Sequence, residues 1–328
     1  MRAPSFWHSP NLLATLLSPL SCLYAMTVKW RQARIMPWTS PVPVICVGNA
    51  VAGGAGKTPL VLLLHQHFRA QGIEAHIVSR GYKGKLPGPL KVDRAKHTAV
   101  EVGDEALLIA HHAPCWVSKN RRVGIEAAAR QGAHIVLLDD GLQNPSVEKT
   151  FSFLVMDGEY GLGNGHVIPA GPLRETLQEA LARSHAVIVV GEDRHNVTSR
   201  VNNMPVLQAA IRPSHPEHAG GNRYIAFAGI GRPEKFFATL RMIGADVLES
   251  VPYADHHLFS EAELKGLAEK ARMRQALLIT TEKDFFRLPK EWQKHVKTLP
   301  VGMVMEDQAA FEKMLAPLVA ESKMRSSR

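Results

Sequence analysis

The run Val44-Ile45-Cys46-Val47-Gly48-Asn49-Ala50-Val51-Ala52-Gly53-Gly54-Ala55-Gly56-Lys57-Thr58 constrains this chain more than any other part of it. A short apolar, β-branched segment reads as a buried strand. A glycine-rich loop follows, then Lys-Thr, then the helical run Leu60 to Phe68. Strand, loop, helix is the order that a phosphate-binding loop requires. Glycines at 53, 54 and 56, with Ala55 between them, let successive backbone N–H groups turn toward one anion. The helix N-terminus adds its partial positive charge. Lys57 is placed to reach the β- and γ-phosphates of a nucleotide, and Thr58 to offer its hydroxyl to Mg²⁺. The strict spacing wants glycine where Val51 stands, with Gly48 and Gly53 on either side of it. The competing reading is a glycine-rich turn with no ligand.

The chain has 328 residues, enough for two domains, and 45% of them are hydrophobic, which supports real cores. Its formal charge is +9. That excess is either a solvated basic surface or a match for an anionic partner, such as a phospholipid surface or a phosphorylated substrate. With no RNA- or DNA-binding module, aromatic–basic repeat or zinc spacing, nucleic acid is not expected as a partner. Cys22, Cys46 and Cys115 form no CxxC pair. A disulfide framework and structural zinc are therefore not expected, and a reducing cytosolic setting fits best.

Residues 11 to 28 carry no charge. On a helical wheel Leu12, Leu13, Leu16, Leu17, Leu20, Leu23 and Tyr24 fall on one arc. Asn11, Ala14, Thr15, Ser18, Ser21, Cys22 and Ala25 fall on the other. Such a helix is suited to lie in a membrane interface rather than to cross it. Pro19 introduces a kink, and Trp7 and Trp30 sit near the two ends, where interfacial aromatics belong. Lys29, Arg31 and Arg34 follow, which places the next domain on the cytoplasmic side. The weakly basic start and unclear cleavage site argue against an export signal. The alternative is a helix packed on the chain's own core.

Beyond the linker 37–43, strands and helices alternate. Strands are expected at 75–79, 115–118, 134–138, 153–156 and 186–190, and helices at 104–112, 122–131 and 174–183. This pattern implies an α/β fold, a parallel sheet covered on both faces. Periodicity fades from about 191 to 222, which reads as a linker with a short extended piece at 205–211. A second βα series follows, with strands at 224–228, 246–251, 276–280 and 296–299. Its helices are expected at 233–242, 260–272 and 308–320, and a basic tail follows. The expected division is an N-terminal helix and linker (1–40), a phosphate-loop domain (41–202), an interdomain linker (203–222) and a smaller α/β domain (223–328).

Several residues could carry chemistry. Asp139-Asp140 ends an apolar strand, where a carboxylate beside the phosphate loop can hold Mg²⁺; the plain alternative is a turn at Asp140-Gly141. Asp104-Glu105 follows Gly103 at a helix start, where by spacing alone N-capping is the preferred reading. Asp255-His256-His257 could bind metal, cap a loop or orient an acid–base group. A long loop runs from Asp157 to Leu173, and long loops in compact domains tend to be functional. At its end Arg174 could clamp a phosphate and Glu175 could orient it.

Taken in order, these motifs resemble the tetraacyldisaccharide 4'-kinase family, the lipid A 4'-kinases of Gram-negative bacteria. The markers are Val47-Gly48-Asn49 with Gly53 to Pro59, Ser79-Arg80-Gly81-Tyr82, Gly103-Asp104-Glu105 and Asp139-Asp140-Gly141-Leu142-Gln143. They continue with Gly163-Asn164-Gly165, Pro169 to Glu175, Asp255-His256-His257 and Thr281-Glu282-Lys283-Asp284. The family shares the Val51 departure, and it usually has histidine where this chain has Asn144. The resemblance implies a two-lobed P-loop architecture with the site between lobes and a membrane-associated N-terminal helix. It implies transfer of the γ-phosphate of ATP, with Mg²⁺, to the 4'-hydroxyl of an acylated glucosamine disaccharide 1-phosphate, giving lipid IVA. It places the enzyme at the cytoplasmic face of the bacterial inner membrane, and a monomer is expected. By position it pairs Asp104 with His256, or with His257, to act on the attacking hydroxyl, assisted by Lys57. Asp139 or Asp140 would hold the metal with Thr58. Arg80 and Tyr82 would face the substrate head group, and Arg122 and Arg174 its phosphates. The competing readings are a P-loop GTPase or metallochaperone and a nucleotide-gated membrane-surface binding protein. A guanine-recognition element is not matched, because Asp284 directly follows Lys283.

Overall fold

The computed structural model describes residues 4–326. The expected N-terminal and C-terminal segments therefore extend, at residues 1–3 and 327–328, outside the described residues. The chain opens with α1 (Leu12–Ala33), then β1 (Val44–Gly48), α2 (Lys57–Ala70), β2 (Ala75–Ser79), β3 (Leu90–Lys91), α3 (Ala99–Val102) and α4 (Asp104–His112). It continues with β4 (Cys115–Val117), α5 (Arg121–Arg130), β5 (Ile135–Asp139), β6 (Phe151–Asp157), α6 (Leu177–Leu181), β7 (Ala186–Val190) and β8 (Val206–Pro213). The remainder is β9 (Arg223–Ala228), α7 (Pro233–Met242), β10 (Asp246–Pro252), α8 (Glu261–Met273), β11 (Leu277–Thr281), α9 (Glu282–Phe285), β12 (Val296–Leu299), β13 (Val301–Met305) and α10 (Gln308–Ser326).

Nine strands form one sheet in the order β13-β8-β7-β6-β1-β5-β2-β4-β3, and four form a second, β10-β9-β11-β12. β1 lies at the centre of the large sheet, paired in parallel with β5 and β6. Its side chains alternate between two cores, as strand geometry dictates. Ile45 and Val47 join Leu60, Leu64 and Phe68 of α2 on one face. Val44 and Cys46 join Ile125 and Ala128 of α5 on the other. A strand buried on both faces must be apolar throughout, which is why this one shows no polar alternation. The second sheet is parallel throughout, with Phe236, Phe237 and Leu240 of α7 on one face and Leu264 and Leu267 of α8 on the other. The expected α/β fold with a smaller second α/β unit and an apolar N-terminal helix is what the chain adopts.

The strand pairing cuts the chain differently from the expected boundaries. Residues 206–213, expected within the linker 203–222, form β8 and pair in parallel with β7. Residues 301–326, expected in the smaller domain, return to the large sheet. β13 pairs antiparallel with β8, and Phe311, Leu315 and Leu318 of α10 enter the large core. The reason is burial: Leu207, Ala209, Met303 and Met305 line one side of this strand pair. The polar residues flanking each short run hid that alternation. Helix 174–183 also shortens to α6, because Arg174 N–H is taken by the Ala50 carbonyl at 2.8 Å and Thr176 caps the helix instead.

α1 packs by its small arc. Ala14 and Ser21 are buried, and Ser21 Oγ donates to the Val167 carbonyl at 2.7 Å and accepts from Ala170 N–H at 3.0 Å. The leucine arc faces outward, with Leu12 77% and Leu16 68% exposed. Among the described residues this is the one helix long and apolar enough to cross a membrane.

Candidate active site

The phosphate loop runs from β1 to α2 and is held from within. Asn49 Nδ2 donates to the carbonyls of Val51 and Gly53, at 2.5 and 3.2 Å, and its Oδ1 accepts from Lys57 Nζ at 3.1 Å. Gly53 and Gly56 have φ of +137° and +91°, values that side chains other than glycine rarely adopt. The long loop braces the phosphate loop from outside: Ala52 N–H donates to the Pro172 carbonyl at 2.8 Å, and Val51 bridges Leu173.

The parallel register of β1 with β5 sets Asp139 opposite Val47, at the mouth of the loop. Asp139 is buried, and its Oδ1 has no hydrogen-bond partner. Burial, with the negative charge of Glu105 added, pushes its carboxyl up to about 7. Asp140 has φ of +56° and turns its side chain toward Lys57 Nζ, 3.6 Å away. Arg174 NH1 grips both its oxygens, at 2.9 and 3.0 Å. Burial would raise the Asp140 carboxyl, but Lys57 and Arg174 outweigh it and hold it below the usual range.

A second cluster is built around Asp104. Gly103, with φ of +90°, turns the chain so that Asp104 opens α4; a Cβ there would lie 2.5 Å from the Tyr82 carbonyl. Asp104 is buried, and its Oδ2 meets His256 Nδ1 at 2.8 Å and Arg287 Nε at 3.2 Å. Burial pushes the Asp104 carboxyl up, yet the His256 hydrogen bond and the charges of Lys283 and Arg287 bring it down to about 2. Tyr82 lies edge-on to His256, with ring centroids 5.7 Å apart. Asp139 feels both Lys57 and Glu105, the neighbour of Asp104, which joins the two clusters electrostatically. The small-sheet side also touches the loop tip: Arg232 pairs with Asp157 and donates to the Gly54 carbonyl at 3.4 Å.

The remaining residues named from the sequence are placed as follows. His257 turns away from Asp104, stacks on Tyr253 and bonds Glu263 at 3.0 Å. Arg80 and Tyr82 are exposed, and Tyr82 borders His256. Arg122 instead pairs with Glu126 at 2.9 Å and lies over Trp38. Its neighbour Arg121 is the buried one, donating to the carbonyls of Ser118, Asp139 and Asp140. Arg121 shares the packed stripe with Ile125 and Ala128, a signal the sequence carries. Glu175 does not orient Arg174, which Asp140 does. It accepts from Gln143 Nε2 at 2.8 Å and pairs with Arg183, so it is a buried brace for the loop. Asn144 closes a turn by accepting from Ser146 N–H at 2.8 Å. Arg287 was missed, and nothing in its local sequence marks it.

The family model for tetraacyldisaccharide-1-P 4'-kinase matches residues 13–320. The chain belongs to this family. Among its relatives, the tetraacyldisaccharide 4'-kinase of Rhodospirillum centenum is 49% identical over 98% of this chain and 97% of its own. That of Rhodospirillum rubrum is 45% identical over 97% and 98%. Among solved structures, LpxK from Aquifex aeolicus, described as an apo form in complex with ATP, superposes with a TM-score of 0.76 at 25% identity. It covers 94% of this chain and 100% of its own. The resemblance seen in the motifs is thus borne out over nearly the full length, and the GTPase and binding-protein readings are not favoured.

Proposed function

We propose that the chain transfers the γ-phosphate of ATP to the 4'-hydroxyl of a tetraacyldisaccharide 1-phosphate, giving the bisphosphorylated lipid IVA. Membership of the family and the ATP named for the Aquifex aeolicus relative support this reading. The observation that carries it is a buried Asp104–His256 pair whose neighbour Glu105 acts electrostatically on Asp139, the carboxylate that also feels Lys57 of the phosphate loop. Gly53, Gly54, Ala55 and Gly56 cradle the phosphates with their backbone, and Lys57 leaves Asn49 and Asp140 to neutralise the transferring group. The hydroxyl oxygen bonds phosphorus as the bond to the β-phosphate oxygen breaks, and its proton passes to the Asp104–His256 pair. ADP carries the leaving charge.

The donor set fits Mg²⁺: a buried Asp139 oxygen without a partner, Asp140 and the Thr58 hydroxyl are hard oxygen ligands beside the phosphates. When bound, the ion neutralises charge on the phosphate oxygens. Arg80 and Tyr82 face the head group and Arg174 the phosphate end. The outward leucine arc of α1 lies in the membrane interface at the cytoplasmic face of the inner membrane, where the acyl chains of the substrate reside. The chain acts as a monomer.

Purified protein, Mg²⁺, γ-labelled ATP and the disaccharide 1-phosphate in detergent micelles test the reading. Label in a bisphosphorylated lipid is expected. Folded protein that binds ATP and leaves the lipid unlabelled would contradict it.

A further inference from the structure

Behind the Asp104–His256 pair lies a basic group that the reaction above does not use. Arg287 has a side chain 2% exposed, and its Nε sits 3.2 Å from Asp104 Oδ2, the oxygen that also meets His256. Its NH1 donates to the carbonyls of Gly229 and His257, both at 3.1 Å. Its NH2 donates to the Gly229 carbonyl at 3.1 Å and pairs with Asp284 Oδ1 at 2.8 Å. Asp284 is fully buried and takes the Gly229 N–H at 3.1 Å and the Thr281 hydroxyl at 2.6 Å. Beside it, Lys283 Nζ pairs with Glu105 Oε1 at 3.0 Å.

A buried guanidinium is costly unless its N–H groups are matched, and the ones described here are. The matches are not confined to one element. They fasten the end of β9, the loop carrying His256 and the first turn of α4, which belongs to the large-sheet side. His256 itself has φ of +61°, in the left-handed region that side chains other than glycine adopt uncommonly. Its N–H donates to the Gly229 carbonyl at 2.9 Å, and Arg287 grips that same carbonyl and the next one along the chain from His256.

We propose that Arg287 is a positioning residue: it sets the left-handed His256 turn and Asp104 against each other across the two sheets, with the Lys283–Glu105 pair as a second strap. This rests on the reading of Asp104 and His256 as the proton-accepting pair. It explains why the run Thr281 to Arg287, which lies far from the phosphate loop in sequence, is packed against the site. The charged groups around Asp104 are His256, Lys283 and Arg287, with Glu105, Asp255 and Asp284 next to them. Removing the Arg287 charge therefore withdraws one of the cations that favour the Asp104 carboxylate and loosens its register with His256.

The test compares Arg287→Gln and Arg287→Lys in the full chain, with MgATP and the micellar disaccharide 1-phosphate. Arg287→Gln should lower kcat about 10²-fold and keep the KM for ATP within about threefold. Arg287→Lys keeps the charge but not the fork, so it should lower kcat about tenfold. A Gln variant within about threefold of wild-type kcat, or one whose KM for ATP rises as much as its kcat falls, overturns the proposal. If the Gln variant does not fold, a Lys variant with wild-type kcat overturns it equally. Asp104→Asn separates the two failures. Wild-type turnover there sinks the acid–base pair itself, whereas loss there with an unaffected Arg287→Gln sinks only the positioning role.

Discussion

The two halves of the site are built in opposite ways. The phosphate half is a single stretch, Gly48 to Thr58, whose internal bonds from Asn49 span only a few residues. The acid–base half joins Asp104 to His256, which lie 152 positions apart, and depends on Arg287 beyond them. A local motif holds most of its shape through backbone conformation, so it depends less on distant contacts, of which the Pro172 brace is one. A non-local pair exists only while the two sheets are held together. The nucleotide half should therefore be separable from the transfer half by mutation.

The largest effect expected is at Lys57. Lys57→Ala removes the cation closest to the transferring phosphate and should lower turnover about 10³-fold, with weaker ATP binding measured by titration calorimetry. Retained ATP affinity would break the distinction from the local side. His256→Ala should lower kcat about 10²-fold, whereas His257→Ala should stay within about threefold, because the His257 ring packs on Tyr253 and Phe259 and pairs with Glu263. Equal losses at both would blur the non-local side. Arg174→Ala frees Asp140 and should weaken nucleotide affinity about tenfold, while Arg122→Ala, whose partner is the solvent-facing Glu126, should change it little. Smallest in the catalytic readout is α1. Leu16→Glu with Leu20→Glu should reduce vesicle binding at least about tenfold, yet leave turnover on micellar substrate near wild type.

The same contrast explains what the sequence could disclose. The strand, glycine loop and helix were legible because their signals are consecutive, and Asp139 because a strand's edge is marked by its last apolar residue. The choice between His256 and His257 was not, since it turns on a positive φ and on where Glu263 sits one helix later. Glu175 looked like a partner of its neighbour Arg174 but is claimed by Gln143 and Arg183 from other segments. Arg121 could have been preferred to Arg122 by following the stripe through Ile125 and Ala128. The pairing of β8 with β13 was hidden because the partners are distant in sequence and flanked by polar turns. The resemblance supplied the Asp104 pairing that spacing alone left as an N-cap.

The most direct measurement of the central claim uses one variant and two readouts. Asp104→Asn should bind MgATP with wild-type affinity by calorimetry and transfer about 10²- to 10⁴-fold less phosphate to the lipid. A variant that loses ATP binding along with transfer, or that keeps wild-type transfer, would contradict the account of two separately built halves meeting at one phosphorus atom.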